Sequence, residues 1–206
     1  MMPEDLAALT PLEAAHALLG ARIAARDVVV RVTEVEAYGG PEDGPWPDPA
    51  AHSYRGPTDR NRVMYGPVGH LYVYRSYGIH HCANISVGPD GVAAAVLLRG
   101  AEVLDGAAVA RTRRTAGTPA SNLARGPGNL AAALGLTLAD NGLDVFAAGA
   151  DVELTLDATT DPVSCGPRVG VSVAAERPWR LWITGAAGVS AYRRSPRAPA
   201  VSGGVG

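Results

Sequence analysis

Val28-Val29-Val30-Arg31-Val32-Thr33-Glu34-Val35-Glu36-Ala37-Tyr38-Gly39-Gly40 carries most of the architectural information in this chain. Five β-branched valines favour a pleated, buried surface, so residues 28–38 are expected to form one long strand. With a period of two and no bulge, Val30, Val32, Glu34, Glu36 and Tyr38 share a face. Glu36 and Tyr38 therefore emerge together just before a Gly-Gly turn. Such a carboxylate reads equally as the exposed face of an edge strand or as a functional group, either a general base or a stabiliser of developing positive charge. Glu34 is its nearest rival and lies deeper in the strand.

Upstream, Thr10-Pro11-Leu12-Glu13 starts a helix: Thr10 caps, Pro11 suits the first helical position, Glu13 completes a capping box, and Gly20 ends the run. Downstream, residues 39–67 hold too many Pro and Gly for regular structure and read as a long loop, a length that usually carries function. Strands are expected over 70–76, 81–87 and 92–98, a helix over 101–114, a loop over 115–125, and a helix from Pro127 to Leu134 stopped by Gly135. Later strands are expected near 152–156, 168–173 and 180–184. Residues 1–192 read as one domain, and 193–206, rich in Pro, Ser and Gly, as a mobile tail.

The chain has 206 residues, 47% hydrophobic and 18% charged, which suits an ordinary soluble domain. All 18 basic residues are Arg. Without lysine, only the terminal amine could form a Schiff base. The net charge of −2 argues weakly against nucleic acid, yet nine Arg (55, 60, 62, 75, 99, 111, 113, 114 and 125) gather between Tyr54 and Arg125 against four acids, and residues 126–165 hold six acids and no base. That polarity fits a basic face and an acidic back, or charges scattered over a solvated surface. Two isolated cysteines, Cys82 and Cys165, exclude a disulfide framework. The acidic N-terminus and the lack of a long apolar run point to the cytoplasm and away from membranes.

Only eleven residues are Tyr, Trp or Phe, and Tyr38, Tyr72, Tyr74 and Tyr77 sit on two short segments. Tyr72 and Tyr74 share one strand face, as core residues or as a stacking surface. Tyr77, just before Gly78 at an expected turn, suits a wedge inserted between bases. His52 is a lone loop histidine; with His70, His80, His81 and Glu36 it raises a metal hypothesis, but the spacing matches no standard zinc signature. Arg125-Gly126-Pro127-Gly128-Asn129 leads into a helix and is not a phosphate-binding P-loop, which needs Lys.

Taken in order, Glu36-Ala37-Tyr38, Ala51-His52-Ser53, Arg60-Asn61, Leu71-Tyr72-Val73-Tyr74, Tyr77-Gly78, Asn84-Ile85-Ser86, Leu97-Leu98-Arg99, Gly126-Pro127-Gly128 and Arg168-Val169-Gly170-Val171 resemble the mammalian-type alkyladenine (3-methyladenine) DNA glycosylases and their bacterial members, from about Leu18 to Ser190. The resemblance implies a single α+β domain with a curved antiparallel sheet, a monofunctional enzyme, a monomer, double-stranded DNA with damaged purines as partner, and neither metal nor organic cofactor. It implies that Glu36 activates the attacking water and Arg99 helps hold it, with a main-chain carbonyl near Val169 or Val171. Tyr38 and His52 are implied to stack on one side of a flipped base and Tyr74 on the other. Asn84 is implied at the pocket edge and Tyr77 in the emptied duplex position.

Three departures stand out. Residues 44–49 look inserted, Asn129 stands where relatives are expected to carry Lys, and His80 and His81 follow the wedge tyrosine. Two rival readings remain: a non-catalytic nucleic-acid-binding module, which would not need Glu36, and a metal hydrolase built on Glu36 and histidines.

Overall fold

In the computed structural model, which describes residues 2–157 and 159–200, the valine-rich stretch is a central strand rather than an edge. In chain order the strands are β1 (Arg22–Ala25), β2 (Val28–Tyr38), β3 (Leu71–Ser76), β4 (His80–Ser86), β5 (Ala95–Asp105), β6 (Val152–Thr155), β7 (Val163–Gly166) and β8 (Arg180–Ile183). The α-helices are α1 (Pro11–Leu18), α2 (Ala107–Thr112) and α3 (Pro127–Leu134). Together they make an α+β fold: one curled antiparallel sheet in the order β3-β4-β5-β2-β1-β6, with β8 pairing β2 and β7. No helix among the described residues is long and apolar enough to cross a membrane.

The reach of β2 positions everything that follows. β5 pairs it along its whole length, from Val29↔Asp105 to Tyr38↔Ala95. On the other side β1 pairs only its first part, Val28 to Arg31, and β8 takes up Glu34 to Glu36. Glu34 and Glu36 therefore lie where β2 is hydrogen-bonded on both sides, and both are 0% exposed. Irregular register around Glu34 marks a bulge against β5. Opposite it stands Gly100, where a Cβ would sit 2.3 Å from the Gly188 carbonyl oxygen; only glycine lets the 184–190 loop come down onto the carboxylates.

α1 begins as expected: Thr10 accepts from the Glu13 amide while Glu13 bonds back to the Thr10 amide. α3 starts at Pro127, ends at Gly135, and packs on β4 and β5 with Leu130 and Leu134 fully buried, each contributing about 1.5–3 kcal/mol by burial. Two expectations are corrected. Residues 101–105 continue β5 instead of opening a helix, because β2 offers partners to Ala101, Glu102 and Val103 and pairing overrides helical propensity; only Ala107–Thr112 is helical. Residues 168–173 are not a strand. The edge of β8 is taken by Val163–Gly166, and the 168–171 segment turns inward instead. Of the expected tail, Arg194 pairs with Glu176, and Ser195 is 9% exposed; residues 201–206 lie outside the described part.

Candidate active site

A cleft of about 680 Å³ opens beside the end of β2, walled by Tyr38, His52, Tyr72, Tyr74, Asn84 and Arg99. It is built by β2, β3, β4, β5, the 39–67 loop, the 169–173 segment and the start of α3. That volume suits a ligand the size of one nucleoside.

Glu36 stands behind the wall and does not itself line the cleft. Its Oε1 accepts from the Val169 amide at 2.6 Å, and its Oε2 accepts from the Tyr38 hydroxyl at 2.8 Å. Arg99 Nη1 lies 3.4 Å from Oε2. Val169, Tyr38 and Arg99 all line the cleft, so they are the groups through which Glu36 meets it. The inward turn at 168–171 is explained by that amide, which bonds a carboxylate rather than a neighbouring strand.

Beneath Glu36, Glu34 is bound on all sides. Oε1 accepts from Arg99 Nε (3.0 Å), Arg180 Nε (2.7 Å) and Ser190 Oγ (2.8 Å), and Oε2 accepts from the Ser190 amide (2.6 Å). Burial alone would raise its pKa, but Arg99, the Ser190 amide and Arg180 together outweigh it and hold the carboxyl below its ordinary value. Arg99 is in turn kept charged: burial disfavours the cation, while Glu36 and Glu34 favour it more strongly.

The aromatic walls are braced from outside. Arg168 is 1% exposed, sits 4.6 Å from the Tyr38 ring centroid, and donates to the Ala37 carbonyl and to both oxygens of Asp48. Asp48 belongs to the 44–49 stretch, which folds over the Gly39-Gly40 turn and puts Pro49 on the cleft rim. Burial and the Glu36 charge push the Tyr38 hydroxyl well up, despite Arg168, so Tyr38 acts only as a neutral donor. Across the cleft, Tyr74 and Tyr72 lie 5.6 Å apart at 32°. His52 meets Tyr74 edge-on at 4.7 Å, and its Nδ1 is 2.9 Å from the Tyr72 hydroxyl. Desolvation and then the Arg60 charge lower the His52 pKa, favouring the neutral ring. Asn84 donates to the Tyr72 carbonyl at 2.9 Å. Among the described residues, no three His, Cys, Asp or Glu side chains gather as a metal site.

Tyr77 tops the β3–β4 hairpin, 93% exposed with φ +50°, followed by Gly78 at φ +70° and closed by an Ile79 amide to Ser76 carbonyl bond. This is the mirror-image turn that fits strand twist, and Gly78 is suited to its second position. The hairpin leans on α3: a Cβ on Gly128 would lie 2.9 Å from His80 Cβ, and Pro127 reaches the cleft. Asn129 turns back to the Arg125 carbonyl.

The structure thus brings Arg99, Tyr38, His52, Tyr74, Asn84, Val169 and Val171 to one cleft, with Glu36 directly behind its wall and Tyr77 at the hairpin tip beside it. Sequence reasoning missed the parts played by Asp48, Arg168, Arg180 and Ser190. The nine-Arg cluster is also less free than its count suggested: Arg99 is buried, Arg113 donates to the Ala133 and Arg26 carbonyls, Arg125 to the Val189 carbonyl, and Arg62 pairs with Asp59.

Residues 5–187 match the family model described as methylpurine-DNA glycosylase. A Mycobacterium tuberculosis (strain H37Rv) protein named "Putative 3-methyladenine DNA glycosylase" is 63% identical over 200 residues, covering 97% of this chain and 98% of the relative. Proteins of the same name from Mycobacterium sp. (strain KMS) and Mycobacterium leprae (strain Br4923) are 60% and 61% identical, covering 98% and 95% of this chain and 99% and 91% of their own length.

Proposed function

The chain belongs to the methylpurine-DNA glycosylase family, and on that footing we propose that it excises alkylated purines, 3-methyladenine among them, from duplex DNA by flipping the base into the cleft and hydrolysing its N-glycosidic bond. The observation that carries this reading is a fully buried carboxylate, Glu36, held by an amide and a hydroxyl directly behind a cleft walled by aromatic rings.

A base inside a duplex hides its glycosidic bond, so it must leave the stack at a cost of a few kcal/mol. Stacking against Tyr38 and His52 on one side and Tyr74 on the other returns roughly 1–3 kcal/mol per base. His52 meets Tyr74 edge-on at 4.7 Å, so this reading requires the two rings to part when the base enters. Cationic alkylated purines gain further from tyrosine faces. Asn84, fixed by its bond to the Tyr72 carbonyl, limits bulk at the purine's exocyclic edge. Tyr77 enters the vacated position and slows the base's return.

In the chemical step Glu36 takes a proton from a water held by Arg99 and the main chain at Val169 or Val171. The water oxygen bonds the sugar's anomeric carbon, and the glycosidic electron pair leaves with the purine. An alkylated purine is already a good leaving group, so activated water suffices. The product is an abasic strand, uncut.

Glu36→Gln tests this. Single-turnover excision from a duplex with one defined lesion is expected to fall at least about 10²-fold, the usual contribution of a placed general base, with lesion-DNA binding changed only a few-fold. A variant that is folded and keeps more than about a tenth of the wild-type rate removes Glu36 as the base.

A further inference from the structure

Among the described residues, Arg99 alone pairs with both Glu34 and Glu36: Nε meets Glu34 at 3.0 Å and Nη1 meets Glu36 at 3.4 Å. Glu34 also holds Arg180, whose strand position is directly opposite Glu36. Two carboxylates and two guanidiniums thus form a neutral buried cluster, with Ser190 filling Glu34's remaining acceptor sites. Glu34 lies outside the cleft and touches nothing that could react.

We propose that Glu34 is a positioning residue for Glu36: it draws Arg99 into shared pairing, so that Arg99 orients the water without capturing Glu36 in an exclusive ion pair, and Glu36 remains able to accept a proton. This rests on the reading of Glu36 as the base. A carboxylate facing an unshared guanidinium within 4–6 Å is stabilised as the anion and becomes a weaker base. Glu34 opposes that by occupying Arg99 and by adding a negative charge of its own.

The other groups facing Glu36 do not substitute for this effect. From β2 comes the Tyr38 hydroxyl, a neutral donor. From the 168–171 segment come the Val169 amide and Arg168, whose guanidinium is already committed to Asp48. Tyr74 of β3 and Cys82 of β4 stand near it, and burial pushes both up, so both are neutral at working pH.

The test is the pH dependence of single-turnover excision for wild type, Glu34→Gln, Arg180→Gln, the double variant and Glu36→Gln, all on the same lesion duplex so that the substrate's own titration cancels. The reaction needs an ionised carboxylate as base, so activity falls on the acid side of the profile. In Glu34→Gln, Arg99 turns wholly to Glu36: the acid limb is expected to move about one pH unit lower and the plateau rate to fall about three- to tenfold. In Arg180→Gln, Glu34 loses a cation and pulls harder on Arg99, so the limb moves to higher pH. The double variant regains charge balance and folds even if Glu34→Gln does not, yet keeps the low-pH limb. A purely structural role for Glu34 would reduce activity in step with folded fraction and leave every limb in place. Unmoved limbs, or limbs moving the same way in the two single variants, overturn the proposal. Activity in Glu36→Gln would instead remove the base assignment beneath it.

Discussion

Asp48→Asn is expected to be among the most destabilising single-atom changes possible in this chain. Both Asp48 oxygens are fully used: Oδ1 accepts from Arg168 Nη2 (2.8 Å) and the Ala50 amide (3.2 Å), and Oδ2 from Arg168 Nη1 (2.6 Å) and the Gly39 amide (3.1 Å). Whichever way an asparagine turns, its NH2 group faces two donors. Arg168 is then left charged and 1% exposed without an anion. Breaking such a buried pair by removing one partner costs about 3–5 kcal/mol, a large part of a typical total stability of about 5–15 kcal/mol. With a urea slope of about 2 kcal/mol per M, the midpoint should fall by roughly 2 M. Trp179, 5.4 Å from the Arg168 guanidinium, makes intrinsic fluorescence a local reporter of the transition. Adding Arg168→Met should recover part of the loss, since no orphan charge remains. The pH dependence follows with its own sign. Burial alone would raise the Asp48 carboxyl, but Arg168 and the Gly39 and Ala50 amides hold it below the ordinary value. The pair's contribution is therefore present above the unfolded Asp pKa of about 3.9 and lost as pH falls through the lower folded value, so the stability gap between wild type and Asp48→Asn should narrow in acid. A loss under about 1 kcal/mol at neutral pH, or strict additivity with Arg168→Met, would refute the reasoning.

Tyr77→Ala should impair flipping more than chemistry, with a greater loss of excision on paired lesions than on mismatched or unpaired ones, where unstacking is easier; equal losses would count against a wedge. Borohydride should trap no protein–DNA adduct, because the chain has no lysine and its carboxylate suits water. A trapped adduct with strand cleavage before alkali would point to the terminal amine instead.

What could be read in advance divides along physical lines. Residues 28–38 were legible because five valines and a Gly-Gly stop agree on one structure, and the Thr10 capping box and the Gly135 stop are local devices carried by a few adjacent residues. Residues 101–105 were misread as helical because what makes them strand lies about seventy residues away, in β2. The strand expected at 168–173 failed for the same reason, since no local pattern shows that the Val169 amide bonds Glu36. The alternative of an exposed edge-strand face for Glu36 falls because β5 and β8 flank it. The cleft side chains were legible through an ordered set of motifs. The bracing was not: Asp48 looked like part of a Pro-rich insertion, and nothing local marks Arg180 as a partner of Glu34.

The hairpin tip carries a standing energetic burden. Tyr77 occupies the left-handed backbone region, where an L side chain other than Asn, Asp or Gly is disfavoured by about 1–2 kcal/mol, and at 93% exposure its ring buries almost nothing in return. Asparagine would fit the same turn without that penalty and would make the free protein more stable. Selection for stability alone would favour Asn-Gly at this corner, so the tyrosine costs the free protein a stability that its own fold does not return.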